Sequence, residues 1–335
     1  MHRLFSTFIY IIALFGLSQT VGCAPIASDA DASIEHAVEG SYSGYLSYDG
    51  KYSIVSSIHH GLALWDNQSN ALKYQWKHND DAENLVLASH ISHNNSHALT
   101  ADSETFVLWN IETGDAEGYW KVKDSKVRDV AVSNDGKHLL IGKSSGVVVH
   151  INLASARRLE FLGHQQKINS VDMSPNGRYA LTASNDYVAY LWDTKSGQVI
   201  YRFNHPSRVT KVALDPQGRY AFTADSKKKS VIWDLTNGEA ISQLQYIQRQ
   251  FIFSAVRFSE DGKWLATGSP SRHLTLWNIE SGEAIAQWLV APRKNTRPKS
   301  SVVYSVSFIN NNKQLLTESS SGLAEVWSIN QKIKG

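Results

Sequence analysis

The sequence is poor in cysteine, in net charge and in long hydrophobic stretches, and each shortage excludes a class of protein. It has 335 residues and a single cysteine, Cys23, so a disulfide framework within the chain is impossible. The formal net charge is only +2, so the charge of the whole chain does not favour nucleic acid as a partner. The main apolar run, residues 4–17, is short for a membrane-spanning helix.

The chain has enough apolar residues to form a large hydrophobic core. Hydrophobic residues make up 42% of it and aromatic residues 10%, with ten tryptophans. A chain of this length could hold two or three ordinary domains, but an all-β repeat array of the same length commonly forms one body. The choice therefore depends on whether the sequence repeats.

Residues 1–22 have the layout of an export signal. One basic residue, Arg3, precedes the apolar run, and small and polar residues follow it up to Gly22. The next residues, 20–23 (TVGC), resemble the lipobox of bacterial lipoproteins, although Thr20 stands where leucine is usual. The resemblance implies that Cys23 becomes the lipidated first residue, and Ala24 after it implies the outer membrane. Residues 23–33 then have the composition of a flexible tether. An uncleaved signal anchor and ordinary secretion are the alternatives.

The rest of the chain is organised around one repeated pattern, seen best in residues 163–197. Apolar and polar residues alternate there, and turn residues interrupt them at 175–177 and 184–186, which predicts short antiparallel strands. Seven copies can be aligned on a tight turn and a closing Trp-Asp-like pair. Neighbouring copies are 41, 42 or 44 residues apart, and the last two are 50 apart. The closing positions are Trp65, Trp109, Ile151, Trp192, Trp233, Trp277 and Trp327.

Repeats of this period, with a Gly-His start and a Trp-Asp end, resemble the WD-repeat β-propeller family. The resemblance covers about residues 34–330, with 331–335 as a tail, and implies an all-β, seven-bladed propeller. Few residues follow Trp327 to finish the last blade. We therefore expect residues 34–36, aligned with 160–162, to supply its outer strand and close the ring.

The resemblance also assigns a structural role to four residues of the fourth repeat. In this family a His, a Ser or Thr, an Asp and a Trp form a hydrogen-bonded tetrad within a blade; here they are His164, Thr182, Asp186 and Trp192. Only this repeat matches at every position, because the fifth has Lys227 where Asp is expected. We interpret the set as scaffold and not as a nucleophile triad.

Neither a metal site nor a cofactor site is expected. His90, His93 and His97 are close in sequence, but their spacing does not place them on one face, so we interpret them as exposed turn histidines. The innermost strand of each repeat reads as mostly apolar and small, and no convergence of acids or histidines into a channel is visible.

Charge is distributed unevenly among the loops that emerge on one face of the ring, which we call the top face. In the last three repeats these loops carry nine cations, which we call the basic surface: Lys227, Lys228, Lys229, Arg249, Arg272, Arg293, Lys294, Arg297 and Lys299. In the second repeat they carry Asp80, Asp81, Glu83, Asp102 and Glu104. A divided field of this kind steers an oppositely charged partner, although solvated loop charges are the simpler interpretation.

The sequence thus favours a non-enzymatic interaction scaffold, anchored by lipid in the bacterial envelope and facing the periplasm. Its expected partners are proteins with an acidic face; anionic lipid headgroups and an anionic envelope polymer are alternatives. No nucleic acid partner is expected, and the oligomeric state is open. The competing hypothesis is a ligand-binding or glycan-binding propeller, with hydrolysis less favoured, that uses the central channel.

Overall fold

The computed structural model describes residues 26–27, 29–78, 85–246 and 252–329. Cys23 and the whole export signal, Arg249, and Asp80, Asp81 and Glu83 lie outside the described residues.

The described residues form 29 strands and no helix. In chain order the strands are β1 (Ile26–Ala27), β2 (Ala32–Glu35), β3 (Ser41–Leu46), β4 (Tyr52–Ser57), β5 (Gly61–Asp66), β6 (Ala71–Trp76), β7 (Ala88–Ile91), β8 (His97–Ala101), β9 (Thr105–Asn110), β10 (Ala116–Lys121), β11 (Val127–Val132), β12 (His138–Lys143), β13 (Val148–Asn152), β14 (Arg157–Phe161), β15 (Ile168–Met173), β16 (Tyr179–Ser184), β17 (Val188–Asp193), β18 (Val199–Asn204), β19 (Val209–Leu214), β20 (Tyr220–Asp225), β21 (Ser230–Asp234), β22 (Ala240–Gln243), β23 (Ala255–Phe258), β24 (Trp264–Gly268), β25 (His273–Asn278), β26 (Ala284–Leu289), β27 (Val303–Ile309), β28 (Gln314–Ser319) and β29 (Leu323–Ser328).

These strands build seven blades around a central channel. Blades 1 to 6 each take four consecutive strands, starting at β3, in antiparallel order from the channel outward. Blade 7 takes β27, β28 and β29, and its outer strand is β2. The innermost strand of each blade contacts that of the next, and β27 contacts β3 to complete the ring. The predicted all-β, seven-bladed propeller is confirmed.

The ring is closed by the N-terminal strand, as predicted, but one residue out of the predicted register. Strand β2 runs antiparallel to β29 and pairs Ile34 with Ala324, which is the position that Phe161 occupies against Val148 in blade 3. Ile34 is therefore equivalent to Phe161, and not to Glu160 as the sequence alignment has it. Side chains in a strand alternate between faces, so this shift decides that Ile34 packs into the core of blade 7.

Two parts of the expected tether belong to the propeller. Ala32 and Ser33 are the first residues of β2, and β1 pairs parallel with β26 on the outer edge of blade 6. Unpaired backbone groups at a sheet edge accept an additional strand readily. The N-terminal segment is thus attached to two neighbouring blades.

The turn between the first two strands is built in the same way in five of the seven blades. In blade 4 the Ser174 hydroxyl donates to the Asn176 side-chain oxygen at 2.8 Å and accepts from the Tyr179 N–H at 2.9 Å, while Gly177 has φ of 72°. Only a residue that tolerates a left-handed conformation fits the last position. A serine and an Asp or Asn in the same places make the same bond in blades 1, 2, 3 and 6.

Aromatic residues join neighbouring blades. The last strand of one blade places a ring against the closing tryptophan of the next: Trp76 on Trp109, Phe161 on Trp192 and Phe203 on Trp233, with ring centroids 4.8, 4.6 and 4.5 Å apart. Trp192, Trp277 and Trp327 are among the largest fully buried side chains. The core therefore lies between blades, and a blade is stable only beside its neighbours.

Candidate functional site

The tetrad predicted in blade 4 forms in part. The Nδ1 atom of His164 lies 2.9 Å from Asp186 Oδ2, and its Nε2 lies 3.0 Å from Thr182 Oγ1. Burial would raise the pKa of Asp186, but the hydrogen bond and charge of His164 outweigh it, and the pKa is lowered. The Trp192 indole Nε1 has no hydrogen-bond partner among the described residues. Trp192 is held instead by stacking on Phe161, with the ring planes 3° apart.

A similar set, in which Thr105 bridges the histidine and the acid, exists in blade 2, where the sequence analysis did not place one. Thr100 Oγ1 accepts from the Trp109 indole at 2.8 Å and lies 2.7 Å from His78 Nε2. Asp102 Oδ2 lies 3.6 Å from His78 Nδ1, and Thr105 bonds to both. Its acid comes two residues after the threonine, whereas Asp186 comes four residues after Thr182. The expectation that only the fourth repeat matches was wrong.

Blade 5 uses the same arrangement with a different acid from the expected one. His205 Nε2 lies 2.8 Å from Thr223 Oγ1, and Thr223 also accepts from the Trp233 indole at 2.8 Å. The nearest acid is Asp225 and not Lys227; its Oδ2 lies 3.5 Å from His205 Nδ1, but neither atom has a hydrogen-bond partner among the described residues, so this set also forms in part. Asp225 Oδ1 also accepts the backbone N–H groups of residues 227–229, which shapes the lysine loop. In all three sets the histidine and the threonine are buried, whereas the side chains of Asp102 and Asp186 are partly exposed.

The missing indole bond in blade 4 gives a matched comparison of two tryptophans. Trp192 and Trp277 are both fully buried, but only Trp277 donates its indole N–H, to Thr267 at 2.8 Å. Replacement by phenylalanine removes the indole N–H at either position, and it reduces the ring volume by the same amount at both. We expect Trp277→Phe to reduce the free energy of unfolding by about 1 kcal/mol more than Trp192→Phe. Urea unfolding of both variants measures the difference, and equal losses would contradict the assignment.

The basic surface divides into cations that bind the propeller itself and cations that do not. Arg272, Arg293 and Lys229 donate to the main-chain carbonyls of Val290, Glu39 and Asn204, and Lys294 pairs with Glu35 at 2.7 Å. Within the described residues no ion pair is recorded for the other four described members, all of them exposed: Lys227, Lys228, Arg297 and Lys299.

The loop of residues 291–301 also holds the closing strand in place. Arg293 bonds to the Glu39 carbonyl and Lys294 to the Glu35 side chain, while the Ala291 N–H lies 3.1 Å from both Glu325 carboxylate oxygens. Burial raises the pKa of Glu325 to about 7. The part of the basic surface formed by Arg293 and Lys294 therefore has a structural role.

In the described part of the blade 2 top loops, the two acids Asp102 and Glu104 lie beside other polar or basic groups. Asp102 is engaged with Thr105 and the tetrad. Glu104 shares a groove with Lys121, Lys123 and Lys126, contributed by β10 and the loop after it. Asp80, Asp81 and Glu83 lie outside the described residues. The described top face thus has a basic sector over blades 5 to 7 and a mixed sector over blade 2.

The central channel is more polar than the inner-strand sequences indicate. Tyr45, His90, Asp172 and Arg257 pair with Ile54, Leu99, Leu181 and Ala266 at the same register position of four different blades. We call these four residues the channel ring. His90 Nε2 lies 3.8 Å from Asp172 Oδ1, and the Arg257 guanidinium lies 5.5 Å from the centre of the Tyr45 ring. The expectation that no acids or histidines converge was wrong.

Burial controls the protonation of the channel ring. Enclosure lowers the pKa of His90 to about 3, with further lowering by the charges of Arg257 and Lys211, so this imidazole is neutral at neutral pH. Burial raises the pKa of Asp172 to about 6, although the N–H groups of Leu214 and Met173 oppose the shift. Asp172 is therefore largely ionised at pH 7.

The three clustered histidines do not meet at one site and are not exposed. His90 and His93 both line the channel, where His93 packs against the Tyr48 ring at 4.3 Å, whereas His97 lies 3.2 Å from Glu117. In the described part of the chain, no three or more His, Cys, Asp or Glu side chains are arranged to hold a metal ion. Among the described residues there is also no helix with the length and apolar character needed to span a membrane.

Comparison with known proteins supports the repeat assignment. The family described as WD domain, G-beta repeat matches residues 156–193 and 248–278. The first segment covers the outer strand of blade 3 and the first three strands of blade 4; the second ends with the third strand of blade 6. No match is found among curated proteins. The described residues thus form a seven-bladed β-propeller, and two of its segments match the WD repeat.

Proposed function

We propose that this protein is a non-enzymatic interaction scaffold that docks an acidic protein partner on the top face of the propeller. The observation that carries the proposal is the set of four exposed cations, Lys227, Lys228, Arg297 and Lys299, for which no internal carboxylate partner is recorded within the described residues. Exposed charges of one sign increase the association rate of an oppositely charged partner. Asp225 fixes the loop of Lys227 and Lys228, and the contacts of Arg293 and Lys294 fix the loop of residues 291–301. Because both loops are already ordered, less conformational entropy is lost on docking.

The proposal includes an envelope location. Cys23 in its lipobox-like context would carry the lipid, and Ala24 after it favours the outer membrane, with the propeller facing the periplasm. Several acyl chains hold a protein more firmly than one, since each buried CH₂ contributes about 0.8 kcal/mol. β1 begins three residues after Cys23, so an anchored propeller would sit close to the membrane.

The docking surface is tested by reversing the four free cations to glutamate. We expect capture of the partner from detergent-solubilised membranes at physiological salt to fall at least tenfold, because four attractive contacts become repulsive. A matched control reverses Lys137, Lys195, Lys263 and Lys313, which are exposed at the opposite face. Loss of capture in the control but not in the top-face variant would contradict the proposal.

The anchor is tested separately. Cys23→Ser removes the thiol that the lipid requires, so we expect the protein to leave the membrane fraction after a high-salt wash. If the variant stays with the membrane, an uncleaved signal anchor replaces the lipid anchor, and the docking proposal is unaffected. Metabolic labelling with a palmitate analogue should mark the parent protein and not the variant.

A further inference from the structure

The channel contains a cavity of the size of a small-ligand site. The cavity has a volume of about 300 Å³ and is lined by the innermost strands of all seven blades. Known ligand pockets begin at about this volume. Tyr42 and Leu87 line its upper end and are 42% and 53% exposed, so the cavity opens at the top face.

The carboxylates of the cavity are already used by the scaffold. Asp129 Oδ2 accepts the Val171 N–H of the next blade at 2.9 Å, and Asp172 Oδ2 accepts the Leu214 N–H of the blade after that at 2.8 Å. Their other oxygens accept the N–H of the following residue in their own strands. The innermost strands are sheet edges, so these bonds satisfy backbone groups that would otherwise face the channel unpaired.

The donors of the cavity are used less completely. Arg257 donates two of its five N–H groups to the carbonyls of Val306 and Leu46, across the seam of the ring. His90 Nδ1 accepts the Val132 N–H at 3.3 Å, so the proton of the neutral imidazole is on Nε2. This Nε2 lies 3.8 Å from Asp172 Oδ1, which is beyond hydrogen-bond distance. For Lys211, half-buried in the wall, no side-chain hydrogen bond or ion pair is recorded within the described residues.

Charge and hydrogen bonding therefore favour the same kind of ligand. The cavity has three cationic residues, Arg128, Lys211 and Arg257, and two carboxylates, Asp129 and Asp172. The oxygens of both carboxylates already accept backbone hydrogen bonds, while an ammonium group and an imidazole N–H remain available to donate. A compact anion with several acceptor oxygens complements this arrangement, and a cation or an apolar molecule does not.

We propose that the central channel is a binding site for a small organic carboxylate. Lys211 is the charge partner of the carboxylate, the His90 Nε2–H is a second donor, and exposed Arg128 at the upper end attracts the anion into the channel. This site is separate from the basic surface on the loops of blades 5 to 7, and it does not depend on the docking function proposed above.

The test is isothermal titration of the folded propeller with succinate and acetate, with n-butylamine as a cationic probe. We expect saturable binding of at least one carboxylate and none of the amine. Lys211→Met removes the ammonium and keeps the aliphatic side chain, and should weaken binding at least tenfold, the usual effect of losing a charge-assisted hydrogen bond. Lys211→Arg should retain most of the affinity.

Lys263→Met is the matched control, because Lys263 is an exposed lysine of a turn at the opposite face. It should bind as the parent does, and all variants should keep the parent's circular dichroism spectrum. The proposal is overturned if neither carboxylate binds the parent protein, or if Lys211→Met binds as tightly as Lys263→Met. Partner capture by the basic surface is measured independently, so either proposal can fail alone.

Discussion

A chain that begins at Ala37 should be less stable than one that begins at Asp29 by about 5 kcal/mol. The shorter chain lacks β2 and His36, and so loses the pairing of β2 with β29, the Asp31 N–H to Val326 bond of 2.8 Å and the packing of Ile34. Each lost hydrogen bond costs about 1 kcal/mol, and β29 becomes an exposed edge. Guanidinium unfolding followed by tryptophan fluorescence measures the loss.

Aggregation of the same two chains gives a second measurement. Without its closing strand, the shorter chain should also aggregate on concentration, because an open sheet edge can pair with another copy. A chain beginning at Ala32 serves as the control, since it shortens the protein but retains all of β2. If the chains beginning at Ala37 and Asp29 have the same unfolding midpoint, β2 does not close the ring in solution.

Glu318→Ala should destabilise the protein by about 3 kcal/mol, and adding His36→Leu should restore part of that loss. His36 Nδ1 lies 2.8 Å from Glu318 Oε2, and both side chains are fully buried where blades 7 and 1 meet. Removing one partner leaves a buried polar group unpaired, whereas removing both leaves an apolar contact. His36 also stacks on the Trp65 ring at 4.9 Å, and leucine can replace part of that contact.

A double-mutant cycle over the four proteins measures the coupling between these two side chains. We expect the double variant to be more stable than the sum of the single losses predicts, by at least about 1 kcal/mol. Strict additivity would mean that the hydrogen bond contributes nothing at the seam. Gly44 is the steric check: a side chain there would lie 2.6 Å from Glu318 Cγ, so Gly44→Ala should be tolerated better in the Glu318→Ala background.

The fold could be predicted from sequence because its determinants are local and repeated. A tight turn with glycine or asparagine at its second position precedes the closing residue of every repeat, by the same distance in all but the second, and each such turn specifies one hairpin. The closing strand followed from counting, since too few residues remain after Trp327 to complete blade 7. The single-residue register error arose because Ile34 lacks the aromatic ring that Phe161 has at the same position.

The tetrads and the channel ring were harder to predict from the sequence, because their members are close together in the fold but not in the sequence. Asp102 and Asp225 reach a histidine from two residues after the threonine, a spacing that an alignment on Asp186 does not find. The channel ring has a detectable signal, since each member lies five residues before the second turn residue of its blade. Each inner strand contributes at most one such residue, so no single segment reveals the convergence.

The basic surface shows a different limit. The sequence locates its members on top-face loops, but it does not reveal which of them bind the propeller itself. Arg293 and Lys294 hold the N-terminal strand, whereas Lys227 and Lys228 extend from a loop fixed by Asp225. Docking experiments should therefore change the free cations and leave Arg293 and Lys294 unchanged.

Hydrogen–deuterium exchange of the propeller, alone and with its captured partner, tests the central claim most directly. If the basic surface is the docking site, the partner should slow exchange in the loops of residues 226–229 and 293–300, while the turns around Gly177 and Gly262 at the opposite face exchange as before. Protection confined to those turns, or to the outer edges of the blades, would contradict docking on the top face.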